Sequence, residues 1–133
     1  MTQRDDVLEI YLEETLERLD SIESGLLTLE QRRECDTRLV NSIFRDAHSV
    51  KAGANLLELF TIEKLSHDLE NVLERIRQCT LEPSEMVVTA SLEAVDKLRE
   101  LVENVEQSES ISIRLHTAML DMAVKRTLEE AGG

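Results

Sequence analysis

His48 and Lys51 stand three residues apart in Phe44-Arg45-Asp46-Ala47-His48-Ser49-Val50-Lys51-Ala52-Gly53. On a helix that spacing puts both side chains on one side. Ala47, Val50 and Ala54 form the apolar seam of the same segment, which leaves His48 beside the core and exposed. Phe44 lies one turn before it, and Lys51 and Ala52 one turn after. A second polar series, Glu63, His67, Glu70 and Glu74, recurs at steps of four and three further along the chain. If the two segments pair as antiparallel helices, Glu70 accepts the Nδ1 proton of His48. That fixes the tautomer with its lone pair on Nε2, the better nucleophile. The ammonium of Lys51 then favours the neutral imidazole and can receive an anionic group arriving at it. Nucleophile, orienting carboxylate and phosphate-binding cation make a coherent set for accepting a phosphoryl group.

Each of these residues also has a plainer reading. A lone exposed histidine is common, and acidic helices produce such spacings by coincidence. His67 can be a polar-face residue near Glu70, contributing at most to a hydrogen-bond network. His116, in a weaker amphipathic stretch, reads as a surface residue. A metal site built on His67, Glu63, Glu70 and Glu74 is disfavoured, because di-metal bundles use Glu-x-x-His from two helices and Glu63 to His67 is a step of four. No metal and no cofactor are expected.

The elements that must position His48 are helical nearly throughout. Leu8, Leu12, Thr15, Leu19, Ile22, Leu26 and Leu29 step by four and three as the seam of a first amphipathic helix. Asp36 or Thr37 can cap a second helix with Leu39, Ile43, Ala47, Val50, Ala54 and Leu57 on one face. Thr61 is the expected N-cap of a third, striped by Ile62, Leu65, Leu69, Val72, Leu73 and Ile76. Pro83 is placed as at a helix start. The fourth helix uses Val88, Ala94, Val95, Leu98, Leu101, Val102 and Val105. The polar stretch 107–110 precedes a fifth, weaker helix with Ile113, Leu115, Ala118, Met119, Met122 and Leu128, and residues 131–133 should fray. The spacing predicts an all-α fold in a single domain over 1–133: an up-down-up-down four-helix bundle, roughly 5–107, with an additional C-terminal fifth helix, roughly 111–130.

Composition narrows the function classes. Aromatic residues are 2% of the chain, so the core must be aliphatic. A net charge of −13 disfavours nucleic acid and anionic membrane surfaces as partners. No run is long enough for membrane insertion, and the N-terminus is not a signal peptide. The expected localisation is cytoplasmic, with Cys35 and Cys79 as thiols. Bundle topology puts those two cysteines at the same pole. No Gly-rich phosphate loop or nucleotide-binding pattern is present, so the chain is not expected to be an enzyme with its own ATP site.

The segment around His48 resembles the signature of histidine-phosphotransfer domains, and is most similar to the N-terminal domain of CheA-type chemotaxis histidine kinases. The similarity continues through Leu65-Ser66-His67-Asp68-Leu69-Glu70-Asn71-Val72-Leu73. The resemblance implies a phosphoryl carrier of two-component signalling. His48 would take a phosphoryl group from a histidine kinase catalytic domain and pass it to an aspartate of a response-regulator receiver domain. By position, Lys51, His67 and Glu70 match residues that bind or tune the active histidine, and Phe44, Ala52 and Asn55 border the partner's approach. Ala52 replaces a usual glycine, and Glu58 stands where a small residue is common. The alternative is a non-catalytic bundle that serves interaction or dimerisation.

Overall fold

One-sided apolar stripes become helices in the computed structural model, which describes residues 3–32 and 36–132. The helices are α1 (Gln3–Arg32), α2 (Thr37–Leu56), α3 (Phe60–Arg77), α4 (Glu85–Glu103) and α5 (Arg114–Gly132), with a 3-10 helix at Val105–Ser110. There is no strand among the described residues, and no helix there is long and apolar enough to cross a membrane. The first four form the expected up-down-up-down bundle. α1 packs on α2 and α4, and α3 on α2 and α4, while α5 lies across α4 and α3.

The core is aliphatic, as so small an aromatic content requires. Leu19, Ile22, Leu26 and Leu29 from α1 meet Ile43 and Val50 from α2, Leu65, Leu69, Leu73 and Ile76 from α3, and Leu98 and Leu101 from α4. Burying a leucine of this kind contributes about 1.5–3 kcal/mol. Gly25 lets α1 and α2 approach closely, since a methyl group there would overlap the Ile43 side chain. Leu120 and Ala123 are the buried apolar residues of α5, and Thr127 beside them hydrogen-bonds Ser84 at 2.8 Å. The fifth helix is thus pinned to the start of α4.

The helix ends explain the short connections. Asp36 caps α2, accepting from the Leu39 amide at 3.1 Å and pairing with Arg32 at the end of α1. α2 closes through Glu58 at φ 60°, with the Leu59 amide donating to the Ala54 carbonyl at 2.8 Å and the Glu58 amide to Asn55 at 3.1 Å. α3 closes the same way through Cys79 at φ 59°, with Thr80 bonded to Arg75 and Cys79 to Ile76. Both are Schellman turns whose left-handed residue is not the usual glycine.

Several expectations need correction. Thr61 does not cap α3: Leu59 occupies the N-cap and offers no side-chain bond. Instead Glu109, from the 3-10 helix, accepts from the Phe60 amide at 2.7 Å, the Thr61 amide at 3.0 Å and the Thr61 hydroxyl at 2.7 Å. Pro83 precedes the cap of α4 rather than opening the helix, and Ser84 caps it by accepting from Val87 at 3.2 Å. α4 ends at Glu103, so Val105 belongs to the 3-10 helix. Ala131 and Gly132 continue α5 instead of fraying, and Gly133 lies outside the described residues. His116 is half-buried, with its Nδ1 buried and without a hydrogen bond, where a surface residue was expected. Cys79 is disulfide-bonded rather than a free thiol, while Cys35 lies outside the described residues.

Candidate functional site

The α2–α3 pair sets side chains opposite one another in a constant antiparallel register. Nearest the turn, the Asn55 amide donates to Glu63 at 2.7 Å. Further from it, Lys51 and His48 both reach Glu70, and beyond them Phe44 meets Arg77. The stripe on α2 and the stripe on α3 recur at matching intervals, so one register brings every rung together.

His48 is exposed, with 58% of its side chain open to solvent. Its Nδ1 lies 2.6 Å from Glu70 Oε2, and Lys51 Nζ lies 2.7 Å from Glu70 Oε1. Glu70 is itself buried, at 7% exposure. That burial works to raise its carboxyl, but the hydrogen bonds and charges of Lys51 and His48 outweigh it and hold the group below its ordinary value. Glu70 is therefore an anion at neutral pH, and an anion beside Nδ1 demands the N–H there. The lone pair is left on Nε2, the ring nitrogen not engaged by Glu70. Lys51 spends one of its three N–H bonds on Glu70, and the others remain for an incoming anion.

The ring of Phe44 lies near-parallel to the imidazole, with centroids 6.4 Å apart and 22° between planes. Its other neighbour is the Arg77 guanidinium, 4.9 Å from the ring centroid. Arg77 is fixed by a bidentate pair with Glu74, at 2.7 and 2.6 Å.

The remaining residues are placed as follows. His67 is exposed and makes no hydrogen bond to Glu70 or His48, and it borders a shallow recess with Lys51, Glu63 and Lys64. Ala52 is exposed one turn beyond His48. Asn55, exposed at the end of α2, is held by Glu63. Among the described residues no three His, Cys, Asp or Glu side chains gather into a metal-binding group.

Two contributors escape sequence reasoning. Tyr11 of α1 donates to the Val50 carbonyl at 2.8 Å, and its ring lies against Gly53, where a methyl group would overlap it. Burial pushes the phenol up to about 12. It braces the turn of α2 that carries His48 and Lys51. Nothing local marks Tyr11 for this except that it is the only tyrosine. The second is Arg77, whose meeting with Phe44 depends on the rotation of α3 against α2.

The Hpt domain family matches residues 6–108. The chain belongs to the Hpt domain family. Its relatives include the chemotaxis protein CheA of Rhizobium meliloti, 35% identical over 96 residues that make up 72% of this chain and 12% of that protein. The sensor histidine kinase CheAY of Helicobacter pylori is 27% identical over 126 residues, 95% of this chain and 16% of that protein. The chain therefore spans less than a fifth of the length of these relatives. Among solved structures, the phosphorylated P1 domain of CheA3 from R. sphaeroides, in complex with CheY6, superposes with a TM-score of 0.78 at 25% identity, covering 92% of this chain and 98% of that one. The CheA phosphotransferase domain of Thermotoga maritima gives 0.71 at 26% identity, covering 79% and 98%. An Hpt bundle of the CheA type is thus common to all of them.

Proposed function

We propose that this Hpt domain is a phosphoryl carrier of chemotaxis-type signalling and that His48 is its acceptor. The observation that carries the reading is the Glu70 bridge, which holds His48 Nδ1 and Lys51 Nζ at 2.6 and 2.7 Å while 58% of the His48 side chain stays open to solvent. The lone pair of Nε2 attacks the terminal phosphorus of ATP held by a separate histidine kinase catalytic domain. The N–P bond forms as the bond to the bridging oxygen breaks and ADP leaves. The imidazole becomes cationic, and the buried Glu70 carboxylate stabilises that charge through Nδ1–H. Lys51 is placed to bind the new phosphoryl oxygens.

In the second step an aspartate oxygen of a receiver domain attacks the phosphorus. The P–N bond breaks and its electron pair returns to Nε2. The receiver as partner is supported by the complex formed by the related CheA3 domain with CheY6. Phe44, Ala52 and Asn55 border the surface that both partners approach, and His67 lines the recess beside Lys51. The test is incubation with a kinase catalytic domain and labelled ATP. A single acid-labile, base-stable label is expected, absent from His48→Gln, and label persisting in that variant overturns the assignment.

A further inference from the structure

The hydrogen bond at Nδ1 fixes one atom of the His48 ring but not the plane of the ring. The torsion that turns an imidazole about its Cβ–Cγ bond is broad, so the Glu70 contact at 2.6 Å leaves the ring able to rock about it. Phe44 supplies a second contact. It stands four residues before His48 on α2, which puts the two side chains on one face of the helix. The ring centroids are 6.4 Å apart with 22° between the planes, within the range at which aromatic rings attract one another. Phe44 does not move freely with the imidazole, because it is half-buried and packs on the bundle core. It is also clamped from α3. The Arg77 guanidinium stands 4.9 Å from its centroid. Glu74 holds that guanidinium by two bonds, at 2.7 and 2.6 Å, and accepts from the Gln78 amide at 2.8 Å as well. The charge of Arg77 is taken up by Glu74, so its part here is that of a planar group held in place over the ring.

We propose that Phe44, clamped by Arg77 and Glu74, is a positioning residue for phosphoryl transfer at His48: it sets the plane of the imidazole and with it the direction of the Nε2 lone pair. The inference rests on the carrier function proposed above and adds to it a residue that acts through His48. The lone pair lies in the plane of the ring, and in-line transfer needs the attacking atom, phosphorus and leaving oxygen on one axis. A tilt of the ring swings that axis away from a phosphorus held in a partner's site. The two contacts therefore do different things. Glu70 decides which nitrogen carries the proton, and Phe44 decides where the other nitrogen points. Two plainer roles for Phe44 lead to different results. A side chain that only fills the core changes stability and leaves the rate alone. One that only borders a docking surface changes the apparent affinity for a partner, and leaves the rate at saturation and the free ring as they were.

The test uses the full chain with Phe44→Leu, which keeps apolar bulk and removes the flat face. Two quantities are read: the order parameter of the His48 ring in the chain alone, by carbon-13 relaxation, and the rate of His48 labelling by ATP and a kinase catalytic domain at saturation. Ring order is expected to fall while nitrogen-15 shifts show the Nδ1–H tautomer retained. The labelling rate at saturation should drop about tenfold, with the half-saturating kinase concentration unchanged. Phe44→Tyr should restore both. Arg77→Ala loosens the clamp without touching Phe44, and should lower both quantities less far. Combined with Phe44→Leu it should add nothing, since the two act through one contact. Arg77→Ala also carries the test if Phe44→Leu does not fold, which circular dichroism checks. Unchanged ring order in Phe44→Leu overturns the positioning role. So does a loss confined to the half-saturating concentration, or a Phe44→Tyr chain no better than Phe44→Leu. An Arg77→Ala loss that adds in full to that of Phe44→Leu overturns the clamp. A wild-type chain never labelled at His48 sinks the carrier function and the positioning role with it, whereas equal labelling of wild type and Phe44→Leu sinks the positioning role alone.

Discussion

Glu70 is the residue on which the proposed chemistry turns, because one buried carboxylate contacts both the histidine and the lysine. Replacing it with glutamine keeps the shape and removes the charge. Loading of Glu70→Gln by a kinase is expected to slow by about tenfold or more, with the fold intact. An unchanged rate would show that the carboxylate does not orient the imidazole. The same group gives a pH signature. Its carboxyl sits below its ordinary value of 4.5, so the stability it adds is present above about pH 4.5 and is lost as pH falls through the lowered value. The stability difference between wild type and Glu70→Gln, followed by denaturant titration, should therefore be constant around neutrality and shrink in acid. Tyr11 belongs to this scale too. Tyr11→Phe forfeits the bond to the Val50 carbonyl, a loss of about 1 kcal/mol in denaturant unfolding. Much of the residue-level site was legible. His48, Lys51 and Glu70 announce themselves by chemical type and helical spacing. Tyr11 did not, because a phenol on another helix leaves no trace in the spacing of α2.

At the level of elements, spacing revealed the helices but not always their ends. The stripes on α2 and α3 are one-sided, so both helices could be drawn and paired, and the pairing carried Glu70 to His48. Caps depend on a few atoms and can come from anywhere. Thr61 looked like a cap because threonine suits that role, yet the carboxylate that serves α3 arrives from Glu109. The left-handed turns were hidden for the opposite reason: Glu58 and Cys79 occupy positions that local preference assigns to glycine. Glu58 is a strained choice, and Glu58→Gly should raise stability by about 0.5–1 kcal/mol, read as a higher unfolding midpoint. A lower midpoint would mean that the Glu58 side chain makes compensating interactions. Arg77 illustrates a third limit. Its place over Phe44 requires knowing how α3 is rotated, which the stripe alone leaves open by tens of degrees.

Across the whole molecule, the reacting face and the fifth helix are kept apart. His48 lies on the α2–α3 face, while α5 lies across α4 and α3 and has no contact with α2 among the described residues. Ending the chain after Ser110 strips cover from the apolar surface under Leu120 and Ala123. We expect a lower melting temperature for that variant, with the labelling rate at His48 close to that of the full chain. A large loss of labelling would show that α5 reaches the site through α3. The excess of acid over base was visible in the composition.

The cap that Glu109 provides to α3 has a consequence in time. The backbone amides of Phe60 and Thr61 wait for a partner 49 and 48 residues later in the chain. The α2–α3 hairpin is a neighbouring pair that can form early, but its turn-proximal end stays open until α4 and the 3-10 helix have arrived. In hydrogen exchange those two amides should report the completion of the last third of the bundle, and not the integrity of the helix they belong to. The segment that aims Glu70 at His48 is finished by residues synthesised well after both.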